Sequence, residues 1–229
     1  MPNAKRSLVL FDIDGTLMRG AGLQHKEALV EGIRRVTGRA TSLDDIPTAG
    51  MLDRDLIAAM LRPSGESDRR IRAVLRETMR ACEECYLANC TADLGPFLCR
   101  GVKQTLAELV LGGAALGLVT GNLSAIGWRK VELAGIRSSF SFGAFAAEGR
   151  TRARLAQVAA LRAKRMGLVA RNGRVSLIGD HANDVAAAKA NGFQAVAVAT
   201  GITSFEELAA TKPDILVHHL EELDLGQLL

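Results

Sequence analysis

The residues best suited to chemistry are two carboxylates two positions apart, Asp12 and Asp14, at the end of an apolar run. The run from Leu8 to Phe11 is long enough for one buried strand, and alternate residues of a strand project to the same side. Gly15 then lets the backbone leave the strand sharply. Two carboxylates about 4 Å apart repel by roughly 4 kcal/mol at an effective dielectric constant of 20. Because no neighbour in sequence neutralises them, we expect a divalent cation, and oxygen-only ligands suit Mg²⁺.

A second apolar run, residues 115–119, ends in the polar residues Thr120, Gly121 and Asn122 just before a helical stretch. The Thr120 hydroxyl and the backbone amides of Gly121 and Asn122 offer hydrogen bonds to an anion near a helix start. We therefore predict a phosphate cradle here.

A third polar strand end follows the apolar run 175–178, where the chain reads Gly179-Asp-His-Ala-Asn-Asp184. In a parallel sheet the ends of the strands meet at one edge, so we expect these carboxylates beside Asp12. Asp12, Asp180 and the backbone carbonyl of Asp14 are the predicted Mg²⁺ ligands. Asp184 is predicted to bind the metal through water or to orient other groups. Such a site supplies the positive charge that an anionic phosphate ester needs before attack.

The apolar strand followed by Phe-Asp-Ile-Asp-Gly-Thr resembles the first motif of the haloacid dehalogenase superfamily of aspartate-nucleophile phosphatases. The Thr-Gly-Asn and Gly-Asp-x-x-x-Asp segments follow in that family's order. The chain is most similar to its phosphoglycolate-phosphatase-like enzymes, through Leu-Gly-Leu-Val-Thr-Gly-Asn, Val-Ala-Val-Ala-Thr-Gly and Ala-Gly-Met-Leu-Asp-Arg-Asp-Leu. The resemblance implies that Asp12 attacks phosphorus and forms an aspartyl-phosphate. It also implies that Asp14 protonates the leaving oxygen and then activates water.

The chain departs from the family at the third motif, which is usually Lys. Between the second and fourth motifs the only lysines are Lys130 and Lys164, and Lys164 falls near the C-terminal end of its helix, at the wrong end of the sheet. Arg150, Arg152 and Arg154 lie at the N-terminal end of that helix. We assign the role to Arg152, because some relatives use Arg after a similar Phe-Gly-x-Phe stretch, and keep the other two as alternatives.

Histidines and cysteines give weaker signals. His181 stands where relatives commonly have Thr, and contact with the metal shell or the substrate is weighed against an incidental loop position. The remaining histidines, His25, His218 and His219, are expected at the surface, with His25 at the entrance of the cap. The Cys-Glu-Glu-Cys segment 82–85 suggests a zinc or redox site, but it falls within a helical stretch and has no second ligand pair. We expect its thiols, like those of the other two cysteines, to be reduced and at least partly buried.

The pattern of elements predicts an α/β fold: a three-layer Rossmann-like core with a parallel sheet, plus an inserted all-helical cap. The core comprises residues 1–18 and 96–229, and the cap comprises residues 19–95, which resembles the C1-type cap of the family. Strands are predicted at 8–11, 115–119, 139–142, 175–178, 195–199 and 215–217. Helices are predicted at 24–37, 50–61, 67–89, 102–111, 124–133, 152–166, 184–191 and 204–210.

Composition limits the partners. The 229 residues are 48% hydrophobic and 24% charged, with a formal charge of +4, which is typical of a globular protein. No apolar run approaches the length of a membrane span. The absence of a dense basic tract and the nine aromatic residues (seven Phe, one Trp, one Tyr) argue against nucleic-acid binding. The N-terminus leads directly into the motif strand, so we expect no signal peptide, a cytoplasmic location and a monomer or homodimer.

Together these features predict a Mg²⁺-dependent phosphatase that hydrolyses a small phosphorylated metabolite, with phosphoglycolate as the named example. A sugar-phosphate mutase of the same fold is the first alternative. A 2-haloacid dehalogenase would leave Asp14 and Asp180 unexplained. A non-catalytic phosphate-binding module is the alternative of another class; only the missing Lys favours it, whereas all four acidic positions are intact.

Overall fold

The computed structural model describes residues 5–229, so the first four residues of the predicted core lie outside it. One sheet of six parallel strands has the order β3-β2-β1-β4-β5-β6. Helices pack against this sheet, and the predicted α/β fold class is confirmed. The strands are β1 (Lys5–Phe11), β2 (Ala115–Val119), β3 (Phe142–Ala144), β4 (Val169–Gly179), β5 (Gln194–Val198) and β6 (Ile215–Val217). The α-helices are α1 (Leu23–Thr37), α2 (Asp53–Leu61), α3 (Asp68–Asn89), α4 (Val102–Leu111), α5 (Ser124–Leu133), α6 (Arg152–Arg165), α7 (Ala182–Ala190) and α8 (Phe205–Ala210).

The register of the central strands brings their C-terminal ends to one level. Phe11 of β1 pairs with Leu118 of β2 on one side and with Ile178 of β4 on the other. Each strand therefore ends within two residues of the same line across the sheet. Both faces of β1 are covered, since residues 8–11 have no exposed surface. The predicted polar strand ends consequently meet at one edge of the sheet.

Residues 19–95 contain α1, α2 and α3 and no strand. Helices α1 and α3 pack closely, and a Cβ at Gly32 would lie 2.6 Å from the Cys82 backbone nitrogen. Cys82 and Cys85 share the buried face of α3, and all four cysteines are free, as predicted. Burial raises the pKa of the Cys82 and Cys85 thiols, which keeps them protonated and unreactive.

Several predicted boundaries are wrong for local reasons. The third strand was expected at 139–142, but Arg137–Ser139 form a 3-10 turn and the strand follows it. Helix α2 begins at Asp53 rather than at Gly50, which has φ +65°. Helix α7 begins two residues early, because the His181 Nδ1 accepts the Asn183 N–H and caps the helix.

Two helix ends are closed by caps typical of their residues. Gly38 closes α1 in the left-handed conformation, and Ser204 and Glu207 form a capping box at the start of α8. Among residues 5–229, no helix combines the length and apolarity needed to cross a membrane.

Candidate active site

A cavity of about 490 Å³ lies between the strand ends and helices α1 and α2. Its lining includes every site residue predicted from the sequence except Asp184, which is buried behind it. The three segments that are distant in the chain thus meet at one place. The predicted residues in the lining are Asp12, Asp14, Thr120, Gly121, Asn122, Arg152 and Asp180.

Asp12 and Arg152 form a buried ion pair at the centre of this edge. Arg152 Nη1 donates to Asp12 Oδ1 at 2.9 Å and to the Val119 carbonyl oxygen at 3.2 Å. The two side chains are 7% and 6% exposed, whereas Arg150 and Arg154 are exposed residues. Of the three arginines considered, Arg152 is the one beside the carboxylates, because α6 begins there and aims its first residue at β1.

Asp180 is fixed by a hydroxyl and by two glycines. Thr16 Oγ1 donates to Asp180 Oδ1 at 2.9 Å. A Cβ at Gly15 or at Gly201 would collide with the Asp180 carboxylate, and Gly15 also has φ +90°. Thr200 Oγ1 donates to the Gly15 carbonyl oxygen at 2.6 Å, which ties the loop after β5 to the turn after β1. Any side chain at these glycines would displace the carboxylate.

Asp12, Asp180 and Asp184 form a buried group in which one oxygen from each carboxylate lies within 4.8 Å of the other two. Burial raises the pKa of Asp12, and the Asp184 and Asp14 charges add to it while Arg152 opposes it, so it lies at about 7. Burial and the charges of Asp12 and Asp184 raise the pKa of Asp180 to about 8. A single guanidinium cannot balance three buried carboxylates, so the cluster fits a divalent cation with oxygen ligands.

Asp184 is the member of this cluster whose Oδ1 lies 3.1 Å from Arg152 Nε, without an aligned hydrogen bond. The role predicted for Asp184, binding the metal through water or orienting other groups, stays a prediction. The carbonyl oxygen of Asp14 as a further ligand stays a prediction.

The Asp14 side chain has different partners from Asp12. Lys130 Nζ donates to both of its oxygens at 2.7 Å, and Asn122 Nδ2 donates to Oδ2 at 2.7 Å. Burial raises the pKa of Asp14, but the charge of Lys130 and the hydrogen bonds from Lys130 and Asn122 outweigh it, so the pKa falls below its usual value. The side chain is 43% exposed and lines the cavity. It is therefore a carboxylate facing the space where a substrate would lie.

Two residues of the predicted phosphate cradle, Thr120 and Asn122, form hydrogen bonds with each other. Thr120 Oγ1 accepts from the Asn122 backbone N–H at 3.3 Å and from Asn122 Nδ2 at 2.7 Å. The prediction that the Asn122 amide points free is wrong, because the short Thr-Gly-Asn turn folds that amide back onto the hydroxyl. The Gly121 carbonyl accepts the Asp53 N–H at 2.8 Å, and the Asn122 amide oxygen is buried without a partner.

Lys130 is the residue that the sequence analysis passed over. It is fully buried, on the face of α5 that also buries Ile126, Gly127 and Val131. Its spacing of three and four residues from Gly127 and Ile126 was the available signal, since a lysine on an apolar helix face needs a buried anionic partner. Lys164 lies in a separate surface depression with Arg171 and Asn191, as its place on the helix predicted.

Helices α1, α2 and α3 contribute side chains that were not predicted. His25 of α1 is not a surface residue: its side chain is 12% exposed, because Lys130 and Asp53 bond its two ring nitrogens. Asp53 Oδ2 accepts the Leu123 N–H at 2.7 Å, and Glu83 Oε1 accepts the Ala125 N–H at 2.8 Å. Both carboxylates lie at the positive end of α5, where free amides favour anions.

His181 has a structural task at the edge of the cavity. Besides capping α7, its ring lies so close to Gly50 that a Cβ there would be 2.6 Å from Nδ1. Asn183 Nδ2 donates to the Gly50 carbonyl oxygen at 3.2 Å. Burial lowers the pKa of His181, with a smaller contribution from Arg152. Of the other two histidines, His218 is exposed and stacks on Phe205, and His219 is half-buried.

Comparison with known proteins agrees with the class that the fold and site define. A family model described as HAD-hydrolase-like matches residues 153–223. The chain is 26% identical over 221 residues to a phosphoglycolate phosphatase of Yersinia pseudotuberculosis, covering 94% of this chain and 90% of that one. The resemblance predicted from the sequence is confirmed: the chain is similar to haloacid dehalogenase-like hydrolases and, over most of its length, to phosphoglycolate phosphatases.

Solved structures share the whole fold at lower identity. CbbY from Rhodobacter sphaeroides, in complex with phosphate, superposes with a TM-score of 0.70 at 20% identity, covering 97% of this chain and 98% of that one. The β-phosphoglucomutase of Clostridium difficile gives a TM-score of 0.68 at 17% identity, covering 96% and 94%. These likenesses extend over both the sheet and helices α1–α3.

Proposed function

We propose that this protein is a Mg²⁺-dependent phosphatase that hydrolyses a small phosphate monoester through an aspartyl-phosphate on Asp12. The observation that carries the proposal is the buried group of Asp12, Asp180 and Asp184 with Arg152 beside it. Its charge balance demands a cation, and its place at the strand ends faces a cavity. Similarity to phosphoglycolate phosphatases makes phosphoglycolate the first substrate to assay.

Each residue of the site has a role in this reaction. Asp12, Asp180 and Asp184 would hold Mg²⁺, with the Asp14 carbonyl as a further ligand. When bound, the ion neutralises the carboxylates and the phosphate, which lets an anionic nucleophile approach phosphorus. Arg152 holds the Asp12 carboxylate in place through Nη1 and supplies the positive charge that Lys supplies in relatives. Its planar guanidinium also spans to Asp184, which a lysine would not do.

Asp12 Oδ attacks phosphorus in line with the ester oxygen, and the ester P–O bond breaks as the P–O bond to Asp12 forms. Asp14 lies on the cavity side. It protonates the leaving oxygen in the first step and takes a proton from the attacking water in the second. The Thr120 hydroxyl and the Gly121 amide bind the phosphoryl oxygens. Asn122 Nδ2 donates to both Thr120 Oγ1 and Asp14 Oδ2 and so fixes the relative positions of these two side chains.

Residues 19–95 act as the cap and residues 5–18 and 96–229 as the core in this proposal. The cap helices cover the strand ends and exclude water from the phosphoryl group. Met51 of the cap approaches so closely that a Cβ at Gly121 would collide with its carbonyl oxygen. The cap therefore contacts the phosphate cradle itself and selects the alcohol part of the substrate.

The test is release of orthophosphate from p-nitrophenyl phosphate and from phosphoglycolate with Mg²⁺, compared with Asp12→Asn. We expect at least about a thousandfold loss of kcat in the variant, as for other covalent nucleophiles, without loss of thermal stability, because the substitution removes one charge from a crowded cluster. Activity retained in Asp12→Asn would exclude Asp12 as the nucleophile. Phosphate bound but never released would favour the binding module, and isomerised sugar phosphate would favour the mutase.

A further inference from the structure

The buried ammonium group of Lys130 has no task in the steps above. It lies on α5 of the core with no exposed surface and bonds both Asp14 oxygens at 2.7 Å. Burying a charge is costly unless it is paired and hydrogen-bonded. An apolar residue would pack on this helix face without that cost. We therefore infer that the buried charge of Lys130 serves Asp14.

The third N–H of the Lys130 ammonium group sets the donor-to-acceptor direction along a longer chain of hydrogen bonds. Lys130 Nζ lies 3.2 Å from His25 Nδ1, and an ammonium group donates only, so Nδ1 accepts. The His25 Nε2 then carries the proton and donates to Asp53 Oδ2 at 3.0 Å. The same oxygen accepts the Leu123 N–H at 2.7 Å. Each link of the chain from Asp14 to Leu123 thus pairs one donor with one acceptor.

This chain crosses between cap and core twice. His25 and Asp53 lie on α1 and α2 of the cap, whereas Asp14, Lys130 and Leu123 lie in the core. It is complete only when the two parts are together. If His25 and Asp53 move away, the Lys130–Asp14 pair stays intact, but the Lys130 ammonium group loses His25, its third partner.

Resting on the proposed function, we propose that Lys130 is a positioning residue that holds the Asp14 carboxylate toward the phosphoryl group for hydrolysis of the aspartyl-phosphate, and that His25 and Asp53 complete this arrangement when the cap is closed. In that step a water oxygen bonds to phosphorus and the P–O bond to Asp12 breaks. Asp12 leaves with the electron pair as a carboxylate. Asp14 takes one proton of the water.

Geometry favours this half of the reaction. Both Asp14 oxygens are bonded by Lys130, and Asn122 adds a bond to Oδ2, so the carboxylate cannot rotate. Its exposed side faces the cavity. A fixed general base close to its water is worth a large factor in rate, commonly 10²–10⁴. Without Lys130 the carboxylate can turn toward other partners, and the water is less often deprotonated.

The test compares Lys130→Met with Lys164→Met, an exposed lysine outside the site, using p-nitrophenyl phosphate with Mg²⁺. Departure of p-nitrophenolate needs no proton, so formation of the aspartyl-phosphate is unaffected. We expect kcat and KM of Lys130→Met to fall together by about tenfold or more, with kcat/KM unchanged, since only a step after phosphoryl transfer is slowed. A stoichiometric burst of p-nitrophenolate accompanies this. Lys164→Met behaves as the wild type.

A fall in kcat/KM as large as that in kcat, without a burst, would show a merely structural role and overturn the proposal, as would unchanged kinetics. Because Lys130→Met leaves Asp14 without its ammonium partner and risks misfolding, His25→Leu is the second variant. It keeps the Lys130–Asp14 pair and should show the same split at smaller amplitude.

A measurement without turnover tests the chain itself. The thermal midpoints of Lys130→Met, His25→Leu and the double variant should be non-additive, because the two residues share one hydrogen bond; additive shifts would remove His25 from the chain. Wild-type protein that releases phosphate from no ester overturns the proposed function, and the positioning role of Lys130 with it. Active wild type with unaltered variants overturns only the role of Lys130.

Discussion

Asp12 and Asp14 lie two residues apart on the same turn, yet their surroundings differ in every physical respect. Asp12 is buried and shares its space with Asp180 and Asp184. Burial and the charges of Asp184 and Asp14 raise its pKa to about 7 against the opposing charge of Arg152. Asp14 is partly exposed to the cavity and has its pKa lowered, chiefly because Lys130 outweighs the effect of burial. Adjacent carboxylates can therefore hold opposite tasks when separate elements supply their partners.

The origin of the partners differs as well. The charged partners of Asp12 come from outside residues 19–95: Arg152 from the start of α6, Asp180 from the residue after β4, and Asp184 from the first turn of α7. The chain from Asp14 includes His25 and Asp53 of the cap. Under the proposed function, the partners of the nucleophile Asp12 would therefore be independent of residues 19–95, whereas the chain from Asp14 includes two side chains of that segment. This difference can be tested from the core side and from the cap side.

The largest effect is expected on the core side, for Arg152→Met. The substitution leaves Asp12 and Asp184 buried without their cation, so we expect a loss of about 3 kcal/mol in the free energy of unfolding without metal. Urea denaturation at neutral pH measures this loss. The loss should shrink as the pH falls, because protonation removes the uncompensated charges.

The matched control is Arg154→Met on the same helix. Arg154 is exposed, and its recorded side-chain bond is to Gln157, so its substitution should leave stability unchanged. Equal losses in the two variants would mean that Arg152 contributes through helix α6 rather than through the carboxylates.

The second prediction concerns metal binding to the Asp12 side. The folded-state pKa values of Asp12 and Asp180, about 7 and about 8, exceed the usual value of about 3.9 in unfolded chains. The metal-free protein therefore loses stability as pH rises from about 4 to about 8, when these groups must ionise in the folded state. Mg²⁺ competes with those protons, so its stabilising effect should grow over the same range.

Thermal unfolding with excess Mg²⁺ and with a chelator, at pH 5 and pH 8, measures the effect. We expect a difference of about 2 kcal/mol at pH 8 if the ion is about thirtyfold above its dissociation constant, and much less at pH 5. Asp180→Asn should abolish the difference. A metal effect independent of pH would mean that the ion binds elsewhere.

The third prediction addresses the cap side through Asp53→Ala. This change strands the buried Leu123 N–H and the His25 Nε2–H, so we expect a loss of about 2 kcal/mol in stability. It should also speed proteolysis at the cap–core connections, because a bond between the two parts is lost. Asp55→Ala, two residues further along α2 and exposed, should do neither. If Asp53→Ala changed stability but not proteolysis, Asp53 would serve α2 alone.

The same comparison explains how far the sequence could be interpreted. The Asp12 side was predictable, because each member follows an apolar strand and parallel strands align their ends. Arg152 required only the direction of a helix relative to the sheet. The Asp14 side depends on Lys130, His25 and Asp53, which lie within helices and follow no strand. Their meeting depends on how three helices dock, and residue spacing along the chain does not encode docking.

A related limit applies to the boundaries of elements. The start of α7 depends on a histidine as the N-cap, and His is not among the residues that normally signal one. The long β4 begins at Val169, which pairs with Lys5, whereas the apolar run begins at Val175, because residues 170–174 are half-buried or exposed. Apolar runs identify the buried part of a strand and miss its exposed extension.

The smallest effect is expected for Glu83→Ala, which tests whether docking of the cap helices alone, without the chain from Asp14 through Lys130 to His25, affects activity. Glu83 of α3 accepts the Ala125 N–H at 2.8 Å and contacts neither Asp14 nor Lys130, so Glu83→Ala should cost about 1 kcal/mol, the worth of a carboxylate capping a helix N-terminus. Proteolysis of the cap–core connections should quicken slightly while kcat for p-nitrophenyl phosphate holds. Glu84→Ala, exposed on the same helix, is the control. A loss of kcat in Glu83→Ala equal to that in His25→Leu would mean that docking as a whole, rather than the bond from His25 to Lys130, governs Asp14.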